Sequence, residues 1–381
     1  MKDQYLVVRT ATWERDSHGL FDFESRHVKR EVFKVKVSGA VIREENTCKF
    51  VEACCIPEEG QVLNIVEGNK EFHLQSPKNE KLWLVARHLK LGYKLQESDV
   101  IRLGRVKLRV KELNPKGQKL EDELTESNVN SKLCEEFTCR ICLGDFVSEK
   151  NPLICPCKCS GTMKYIHLSC LRKWLLSKMS VKQTGCSISY SWKQLACELC
   201  QAKLPASIKI NNKKFDLVEI TKPETPYIVL EDLRKTTNSN FTWHVVSLFG
   251  EIPVKLGRGH ECEIRISDIS VSRFHANLLL KNGYCYIQDN KSKFGTLLLS
   301  KKPLKANPDL EVCVQVNRTL FNVEVKKPFN WMCCLECCAK SNEVHPYSGQ
   351  ITNAEFDFPN QDFSDDDQVE EIEDVVNYGD F

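Results

Sequence analysis

Cysteine pairs at metal-binding spacing mark the middle of the chain. The stretch from Cys155 to Cys170 reads CPCKCSGTMKYIHLSC, and a Cys-x2-Cys pair lies on either side of it. A two-residue gap lets both thiolates reach one tetrahedral ion at about 2.3 Å. Four ligand pairs in series predict two closed structural zinc sites rather than unrelated buried thiols. The eight candidate ligands are Cys139, Cys142, Cys157, Cys159, His167, Cys170, Cys197 and Cys200.

The CPCKC run leaves one of these ligands open. Its spacing allows Cys155 to take the place of Cys157 beside Cys159. Cys134 and Cys186 have no partner at metal spacing and are spare under either choice. The sequence therefore fixes the number of zinc sites more firmly than the identity of every ligand.

The overall composition favours metal binding over disulfide bonding. The chain has 381 residues, of which 20 are cysteine, and the start MKDQYLVVRTATWERD lacks the apolar core of a secretory signal. We find no run of about 18 uncharged apolar residues that would predict a transmembrane segment. These features predict an intracellular protein of the cytoplasm or nucleus, where paired cysteines more often hold metal. A net charge of +2 gives no basic footprint for nucleic acid.

The elements that must position these residues are mostly short strands. Apolar and polar residues alternate in runs such as VFKVKVSG and TWHVVSLFG, and KNGYCYIQD is typical of a hairpin. We therefore predict a multidomain, mainly β protein with a small α+β zinc domain. The predicted divisions are a β-rich domain at 1–113, a linker at 114–133, the zinc domain at 134–205, a second β domain at 206–327, and a cysteine cluster with a disordered acidic tail at 328–381.

A faint internal repeat links the two β-rich segments. VIRLGRVKLRVK and VCVQVNRTLFNVEV superimpose with Ile101 on Val314 and Leu103 on Val316. Either the segments are duplicated domains, or two amphipathic strand pairs align by chance, because a period of two discriminates weakly.

The cysteine module resembles the RING-CH, or variant RING, ubiquitin ligase domain. The CSG turn, the ligand order and Trp174 four places after Cys170 carry the resemblance, and its one-residue gap favours Cys157 over Cys155. It implies a cross-brace with two Zn2+ ions. The first ion would take Cys139, Cys142, His167 and Cys170, and the second Cys157, Cys159, Cys197 and Cys200. A PHD finger has the same order of ligand types, but it expects a tryptophan where this chain has Leu195.

This resemblance implies a surface for a ubiquitin-conjugating enzyme. Ile141 in the first knuckle and Trp174 on the following helix would contact that enzyme, although Trp174 could instead be a core residue of the helix LRKWLLSKM. No residue is expected to be catalytic, since a RING does no covalent chemistry. Two departures concern activity: the segment between Cys170 and Cys197 is long, and Gln201 stands where many active ligases carry a basic residue.

The segment VKLGRGHECEIRISDISVSRFHANLLLKNGYCYIQDNKSKFGTLLL resembles the forkhead-associated (FHA) domain. The matches are Gly257-Arg258, Ser272-x2-His275, Ser292 and Gly295-Thr296. The resemblance implies a β-sandwich that binds phosphothreonine peptides, with Arg258 and Ser272 on the phosphate and His275 in a structural role. A guanidinium fork beside neutral donors suits a phosphate. The N-terminal segment would be a degenerate FHA-like sandwich, because its Gly104-Arg105 pair is followed by no Ser-x2-His.

Two functions follow from these motifs. In the first, the chain is a RING-type ubiquitin ligase whose FHA domain recruits phosphothreonine-containing clients. In the second, both modules only bind partners, and the chain is a non-catalytic phospho-dependent adaptor. A cluster of Cys333, Cys334, Cys337 and Cys338 could carry a lipid anchor, bind another metal with His345, or be unpaired.

Overall fold

The structure is a computed structural model that describes most of the chain. The described residues are 4–15, 19–57, 59–68, 71–78, 80–116, 137–193, 195–205, 207–210, 213–234, 241–249, 252–308, 311–327 and 375–377. Most of the predicted linker, the cluster at Cys333 to Cys338 and nearly all of the acidic tail lie outside these residues. The described part is mainly β, as predicted.

The chain divides into two compact units that do not follow the sequence order. The first unit combines Met1–Pro115 with Leu248–Pro359, and the second combines Lys116–Ser247 with Asn360–Phe381.

The elements, in chain order, are as follows. The N-terminal segment forms β1 (Tyr5–Trp13), β2 (Val28–Val35), β3 (Gly39–Glu44), β4 (Thr47–Glu52), β5 (Gln61–Gly68), β6 (Glu71–Gln75), β7 (Trp83–Val85), β8 (Tyr93–Lys94), β9 (Val100–Leu103) and β10 (Val106–Asn114). The middle segment forms β11 (Leu153–Ile154), β12 (Ile166–His167), α1 (Leu168–Ser177), β13 (Ser180–Thr184), β14 (Ser187–Trp192), β15 (Ser207–Ile210), β16 (Lys213–Asp216), β17 (Tyr227–Asp232) and β18 (Phe241–Ser247). The remainder forms β19 (Val254–Gly257), β20 (Ile264–Arg265), β21 (Ala276–Lys281), β22 (Tyr284–Asp289), β23 (Thr296–Leu299), β24 (Leu304–Lys305), β25 (Val312–Val316), β26 (Thr319–Lys326) and β27 (Val375–Asn377).

The first unit contains sheets in which N-terminal and C-terminal strands alternate. One sheet has the order β10-β9-β23-β7-β25-β26-β1-β2. The strands β20-β19-β21-β22 are completed at one edge by β8, and the strands β4-β3-β5-β6 are completed by β24. Each half of this unit therefore donates its last strands to the sheets of the other half.

Side-chain packing in the first unit follows the same exchange. One core cluster joins Leu6, Val8 and Phe72 of the N-terminal segment to Phe321 and Val323 of β26. The alternation in β1 explains this arrangement, because Leu6 and Val8 point inward while the intervening residues are more exposed. Strand β26 thus buries its apolar face on strands that precede it by roughly three hundred positions in the sequence.

The exchanged hairpins account for the internal repeat. Leu103 pairs with Val106 across the β9–β10 turn, and Val316 pairs with Thr319 across the β25–β26 turn, in the register that the repeat aligns. Both turns contain a residue with positive φ, at Gly104 and at Asn317. The two hairpins therefore share one register and one turn geometry, and duplication of the whole domain stays a prediction.

The division of the chain in the structure differs from the predicted boundaries at 1–113 and 206–327. Those two segments share one unit, while residues 207–247 lie in the unit that contains the zinc domain. The physical reason is that alternation locates strands but does not specify their partners. When two hairpins have nearly the same pattern, either can complete a given sheet edge.

In the second unit, the long segment between Cys170 and Cys197 is structured. It forms the hairpin β13–β14, and β14 pairs along its length with β18, from Ser187 opposite Val246 to Trp192 opposite Phe241. Tyr190 and Trp192 join Tyr227, Val229 and Val245 in an aromatic-rich core. The extra length therefore builds a sheet, in the order β13-β14-β18-β17. Strands β15 and β16 form a separate hairpin that β27 joins in parallel.

The strand exchange predicts that neither half of the first unit folds alone. We expect a fragment of residues 248–327 to lack a cooperative thermal transition, because it loses β8 beside β22 and β9 beside β23. Adding a fragment of residues 1–115 should restore the transition, as followed by circular dichroism. A sharp transition in the isolated 248–327 fragment would contradict the exchange, since its own strands would then suffice.

Candidate functional site

The eight predicted metal ligands form two quartets in the structure. The first quartet contains Cys139, Cys142, His167 and Cys170, and the second contains Cys157, Cys159, Cys197 and Cys200. Within each quartet the ligand atoms all lie within 4.8 Å of one another. Ligands about 2.3 Å from a tetrahedral ion would be about 3.8 Å apart, and Cys159 Sγ lies 3.7 Å from Cys197 Sγ.

The ligand pairs alternate between the quartets along the chain. The first and third pairs meet in one quartet and the second and fourth in the other, which is the cross-brace that the RING-CH resemblance implies. Cys157, and not Cys155, belongs to the second quartet. The CPCKC run had left Cys155 open as an alternative ligand, and the structure places it outside both quartets.

Two matching turns hold the Cys-x2-Cys pairs. In the first, the amide of Leu143 donates to the carbonyl of Cys139 at 2.7 Å, and in the second Gln201 donates to Cys197 at 2.9 Å. Leu143 and Gln201 both have positive φ, at 61° and 57°. Such backbone curls the chain tightly enough to bring both sulfurs of a pair to one point.

Strand β12 and helix α1 supply the third pair. His167 ends β12, where it pairs with Leu153, and it immediately precedes α1, which carries Cys170 in its first turn. Asn151 Oδ1 accepts a hydrogen bond from the amide of Ser169 at 2.8 Å, which helps to cap the helix. Leu168, Leu171 and Leu175 bury one face of α1 in the domain core, which fixes the orientation of the ligand pair.

Hydrogen bonds lower the thiol pKa of Cys139 in the first quartet and of Cys197 and Cys200 in the second. Burial opposes ionisation of Cys139, but amide groups of Cys142, His167 and Ile141 around its sulfur lower the thiol pKa to about 6. Burial also opposes ionisation of Cys197, whereas the Cys200 amide and the Arg140 side chain lower its pKa to about 6. These donors stabilise the form of cysteine that binds metal.

Arg140 links the two quartets. It lies between two ligands of the first quartet, yet its guanidinium donates to Cys159 Sγ at 3.3 Å and to Cys197 Sγ at 3.4 Å in the second. It also donates to the carbonyl of Met163 at 2.7 Å. Arg140 therefore supplies positive charge directly to the sulfurs and connects the first turn to the loop before His167.

Two other thiols, one in each quartet, are instead held in the protonated form when no cation is bound. Burial and then the neighbouring sulfurs raise the pKa of Cys157 to about 12 and that of Cys170 to about 11. Cysteine thiols this close to one another lose their protons together only around a cation, whereas the imidazole binds metal as the neutral ring. In the first quartet, His167 Nδ1 lies 3.2 Å from Cys142 Sγ and so is the ring nitrogen on the ligand side. These soft donors at tetrahedral spacing fit two zinc ions.

The two residues predicted to contact a conjugating enzyme lie in different environments. Ile141 is 46% exposed, whereas Trp174 is half-buried and packs against the domain core. Part of the Trp174 side chain is therefore a core contact, and the rest is accessible to solvent. Sequence reasoning missed Leu199, which precedes the last ligand as Ile141 precedes the second and is 57% exposed. The repeated Cys-x-apolar-Cys pattern is the signal that would have found it.

The structure brings the predicted phosphate-binding residues onto adjoining loops. Arg258 follows β19, its side chain is exposed, and its amide donates to the carbonyl of Ser272 at 3.1 Å. This close approach requires glycine at position 257, where a Cβ atom would lie 2.1 Å from the carbonyl oxygen of Arg273. Ser272 Oγ accepts a hydrogen bond from the amide of Lys293 at 3.0 Å, which joins it to the following loop.

His275 is fully buried and connects these loops. Its Nδ1 accepts from the amide of Ser272 at 3.1 Å, so Nε2 carries the proton and donates to the carbonyl of Gly295 at 3.1 Å. Burial lowers the pKa of His275, which keeps the ring neutral and allows both bonds at once. This geometry agrees with the structural role that the resemblance implies.

A buried carboxylate that sequence reasoning did not single out organises the third loop. Asp289 accepts hydrogen bonds from the amide and hydroxyl of Ser292 and from the hydroxyl of Thr296 at 2.7 Å. Arg87, from the N-terminal segment, lies 3.8 Å from Asp289 and donates to the carbonyl of Ser292. No sequence signal connects Arg87 to a loop about two hundred residues away.

The N-terminal segment also packs directly on the Gly295 turn. The ring of Phe23 lies where a side chain at Gly295 would begin, 2.7 Å from an ideal Cβ atom, and Gly295 has a φ of 73°. The amide of Phe23 donates to the carbonyl of Lys293 at 3.0 Å, and Asp22 lies 3.4 Å from Lys293 Nζ. Residues of the N-terminal segment therefore pack against the candidate phosphate loops of the C-terminal half.

Comparison with known families agrees with both motif assignments. The RING-variant domain model matches residues 139–200, and the FHA domain model matches residues 254–311. The chain combines a RING-variant domain with an FHA domain. The RING-variant match begins and ends on the outermost ligands of the quartets, Cys139 and Cys200. Both predicted resemblances are confirmed.

The similar proteins match less than a third of this chain. The E3 ubiquitin-protein ligase MARCHF7 of Pongo abelii is 35% identical over 103 residues, which cover 27% of this chain and 13% of that protein. The ERAD-associated E3 ubiquitin-protein ligase DOA10 of Saccharomyces cerevisiae is 34% identical over 113 residues, covering 27% of this chain and 8% of that protein. The human E3 ubiquitin-protein ligase MARCHF1 is 31% identical over 113 residues, covering 29% of this chain and 30% of that protein. The matched part thus spans less than a third of each of these relatives, and no solved structure matches the chain.

Among the described residues, we find no helix with the length and apolar character needed to span a membrane. The cysteines predicted as a lipid-anchor site, Cys333, Cys334, Cys337 and Cys338, lie outside the described residues.

The quartet geometry predicts different effects for two neighbouring cysteines. Replacing Cys157 with serine should lower the zinc content of the purified full chain from about two to about one atom, because three ligands rarely retain a structural zinc. Cys155→Ser is the matched control and should keep about two, as it lies in neither quartet. Elemental analysis measures both. Equal zinc loss in the two variants would contradict the assignment of Cys157.

Proposed function

We propose that this chain is a RING-type ubiquitin ligase that recruits phosphothreonine-containing clients through its FHA domain. The observation that supports the ligase most directly is the pair of interleaved quartets with the exposed Ile141 between two ligands of the first. The relatives that match this segment are named as E3 ubiquitin-protein ligases. The two zinc ions would stabilise the domain and would take no part in the chemistry.

Ile141 would be the anchor for a ubiquitin-conjugating enzyme. Isoleucine with 46% of its surface exposed leaves apolar area that a partner can bury. Leu199, on the matching turn of the other quartet, would extend this apolar contact, while Trp174 would offer only the part of its ring that the core leaves open. The rigid metal-bound turns would present these side chains with little loss of conformational entropy on binding.

The FHA loops would hold the client. The exposed guanidinium of Arg258 and the hydroxyl of Ser272 would bind the phosphate, since charge-assisted hydrogen bonds from rigid loops are strong and directional. The buried His275 and Asp289 would keep these loops in place. Ubiquitin transfer would then follow from proximity, because the nucleophilic lysine belongs to the client and the thioester to the conjugating enzyme.

One observation favours the adaptor as the second candidate. Gln201 occupies the left-handed position of the last knuckle, and its side chain donates to the carbonyl of Glu198 at 3.0 Å. It is neutral and bonded within its own turn, whereas many active ligases carry a basic residue here. An adaptor would use the same phosphate loops and zinc fold without accelerating transfer. An intracellular location remains a prediction under both functions.

Phosphopeptide binding would depend on Arg258. We expect Arg258→Ala to weaken the binding of a phosphothreonine peptide to the full chain at least about tenfold, because it removes charge-assisted hydrogen bonds. Isothermal titration against a phosphothreonine peptide library pool and its dephosphorylated form measures this. The matched control is Arg265→Ala, which removes an equally exposed arginine of β20. Equal affinity in Arg258→Ala and the parent chain would refute the phosphate role.

Ligase activity would depend on Ile141. In an assay with ubiquitin, activating enzyme and a panel of conjugating enzymes, Ile141→Ala should slow chain formation about tenfold through loss of an apolar anchor. Val181→Ala is the control, since Val181 is 52% exposed on the hairpin β13–β14, away from the knuckle sequences. Absence of activity across the panel, with phosphopeptide binding retained, would favour the adaptor.

A further inference from the structure

Two adjacent cysteines lie on the surface of the first unit, outside both zinc quartets. Cys54 and Cys55 occupy a short 3-10 turn, Ala53–Cys55, between β4 and β5. Both side chains are exposed, and their sulfurs lie 3.4 Å apart. We call Cys54 and Cys55 the vicinal pair. Since neither side chain is buried, a small molecule in solvent can reach both sulfurs at once.

Contacts on both sides hold the turn that carries the vicinal pair. The amide of Ala53 donates to the carbonyl of Ser38, just before β3, at 3.0 Å. After the turn, Gln61 Nε2 donates to the carbonyl of Pro57 at 2.7 Å, and the proline ring restricts the backbone there. The backbone is therefore ordered before any ligand arrives, which reduces the entropy lost on binding.

The geometry of the vicinal pair differs from that of the zinc quartets. Sulfurs bound at about 2.3 Å lie about 3.8 Å apart around a tetrahedral ion, but about 3.3 Å apart where two bonds meet at a right angle. The 3.7 Å between Cys159 and Cys197 fits the first case, and the 3.4 Å of the vicinal pair fits the second. Among the described residues, the groups of three or more metal-ligating side chains are the two quartets. The vicinal pair therefore suits an atom that needs two sulfurs and brings its own third substituent.

The protonation of the vicinal pair favours the same kind of ligand. The hydrogen bond with Cys54 is the main cause that raises the pKa of Cys55, and the charge of Glu52 adds a smaller contribution. A divalent metal ion has to expel thiol protons into solvent, which a raised pKa opposes. A trivalent arsenic compound with bonds to oxygen does not, because the thiol protons leave on that oxygen as water.

We propose that the vicinal pair binds a trivalent organic arsenical, with one arsenic atom bridging Cys54 and Cys55. Two arsenic–sulfur bonds form while the bonds from arsenic to oxygen break, and the oxygen leaves as water with both thiol protons. Arsenic stays trivalent, and neither sulfur is oxidised. Trivalent arsenic holds its three bonds near right angles, which agrees with the distance between the sulfurs. Its organic group occupies the third bond and extends into solvent.

The other described cysteines are less accessible to this chemistry. Cys142 is the one further cysteine with an exposed side chain, and it belongs to the first quartet. Cys48 of the neighbouring strand β4 is buried, and its sulfur lies 3.5 Å from Thr12 Oγ1. The sequence has two more adjacent cysteine pairs, at 333–334 and 337–338, which lie outside the described residues. A test must therefore locate the arsenic on the chain as well as detect it.

Phenylarsine oxide is the probe, added to the zinc-loaded full chain at three equivalents, one for each adjacent cysteine pair of the sequence. Trypsin cleaves after Lys49 and Lys70, and the peptide 50–70 contains no cysteine besides the vicinal pair. We expect mass spectrometry to find one phenylarsenic group and no free thiol on this peptide, and elemental analysis to find about two zinc atoms still bound.

Single substitutions test the bridge. Cys54→Ser and Cys55→Ser should each remove the adduct from the peptide 50–70, because one thiol cannot bridge. Both positions are exposed, so we expect the thermal transition of each variant to match that of the parent chain. Cys155→Ser is the matched control, since it removes another cysteine outside the quartets, and it should leave the adduct in place.

Competition with glutathione separates a site built by the fold from the sequence alone. The full chain should keep its arsenic against about tenfold more glutathione than the synthetic peptide 50–70 does, because the free peptide has to order the turn first. The proposal is overturned if the peptide from the parent chain carries no adduct, if either serine variant keeps the bridge, or if chain and peptide release arsenic at the same glutathione concentration.

Discussion

The first unit depends on the reciprocal exchange of strands between its two halves. Without β8 and β9, the strands β22 and β23 would expose backbone groups and apolar faces at an edge. Without β24 to β26, the N-terminal strands would lose the partners of β6, β7 and β1. Since each half completes the sheets of the other, residues near position 20 are in direct contact with residues near position 300.

The candidate phosphate loops show how this exchange positions side chains from distant segments. Asp289 and His275 form hydrogen bonds with the loops of their own C-terminal half. Arg87 and Phe23 contact the same loops from the N-terminal half. The N-terminal segment has no Ser-x2-His motif after Gly104-Arg105. Its side chains instead contact the loops of the other half.

Different parts of this arrangement were predictable from sequence to different degrees. Metal ligands were accessible because tetrahedral coordination imposes short, fixed spacings, and even Cys157 could be preferred over Cys155 by a one-residue gap. The adjoining positions of Arg258 and Ser272 were accessible because the motif that contains them is short, and their binding of phosphate stays a prediction. Three other features could not be predicted, because each depends on contacts between distant segments. They are the pairing of β8 with β22, the contact of Arg87 with Asp289 and the partial burial of Trp174. Alternation specifies a strand and its buried face, but similar hairpins compete for one edge.

The placement of charge, rather than its total, governs the sites of this chain. A net charge of +2 predicts no general attraction for anions. Yet Arg140 donates hydrogen bonds to two sulfurs of the second quartet, and Arg258 is exposed on the candidate phosphate loops. Arg140 acts beside thiolates that a metal balances further, so its charge serves the fold.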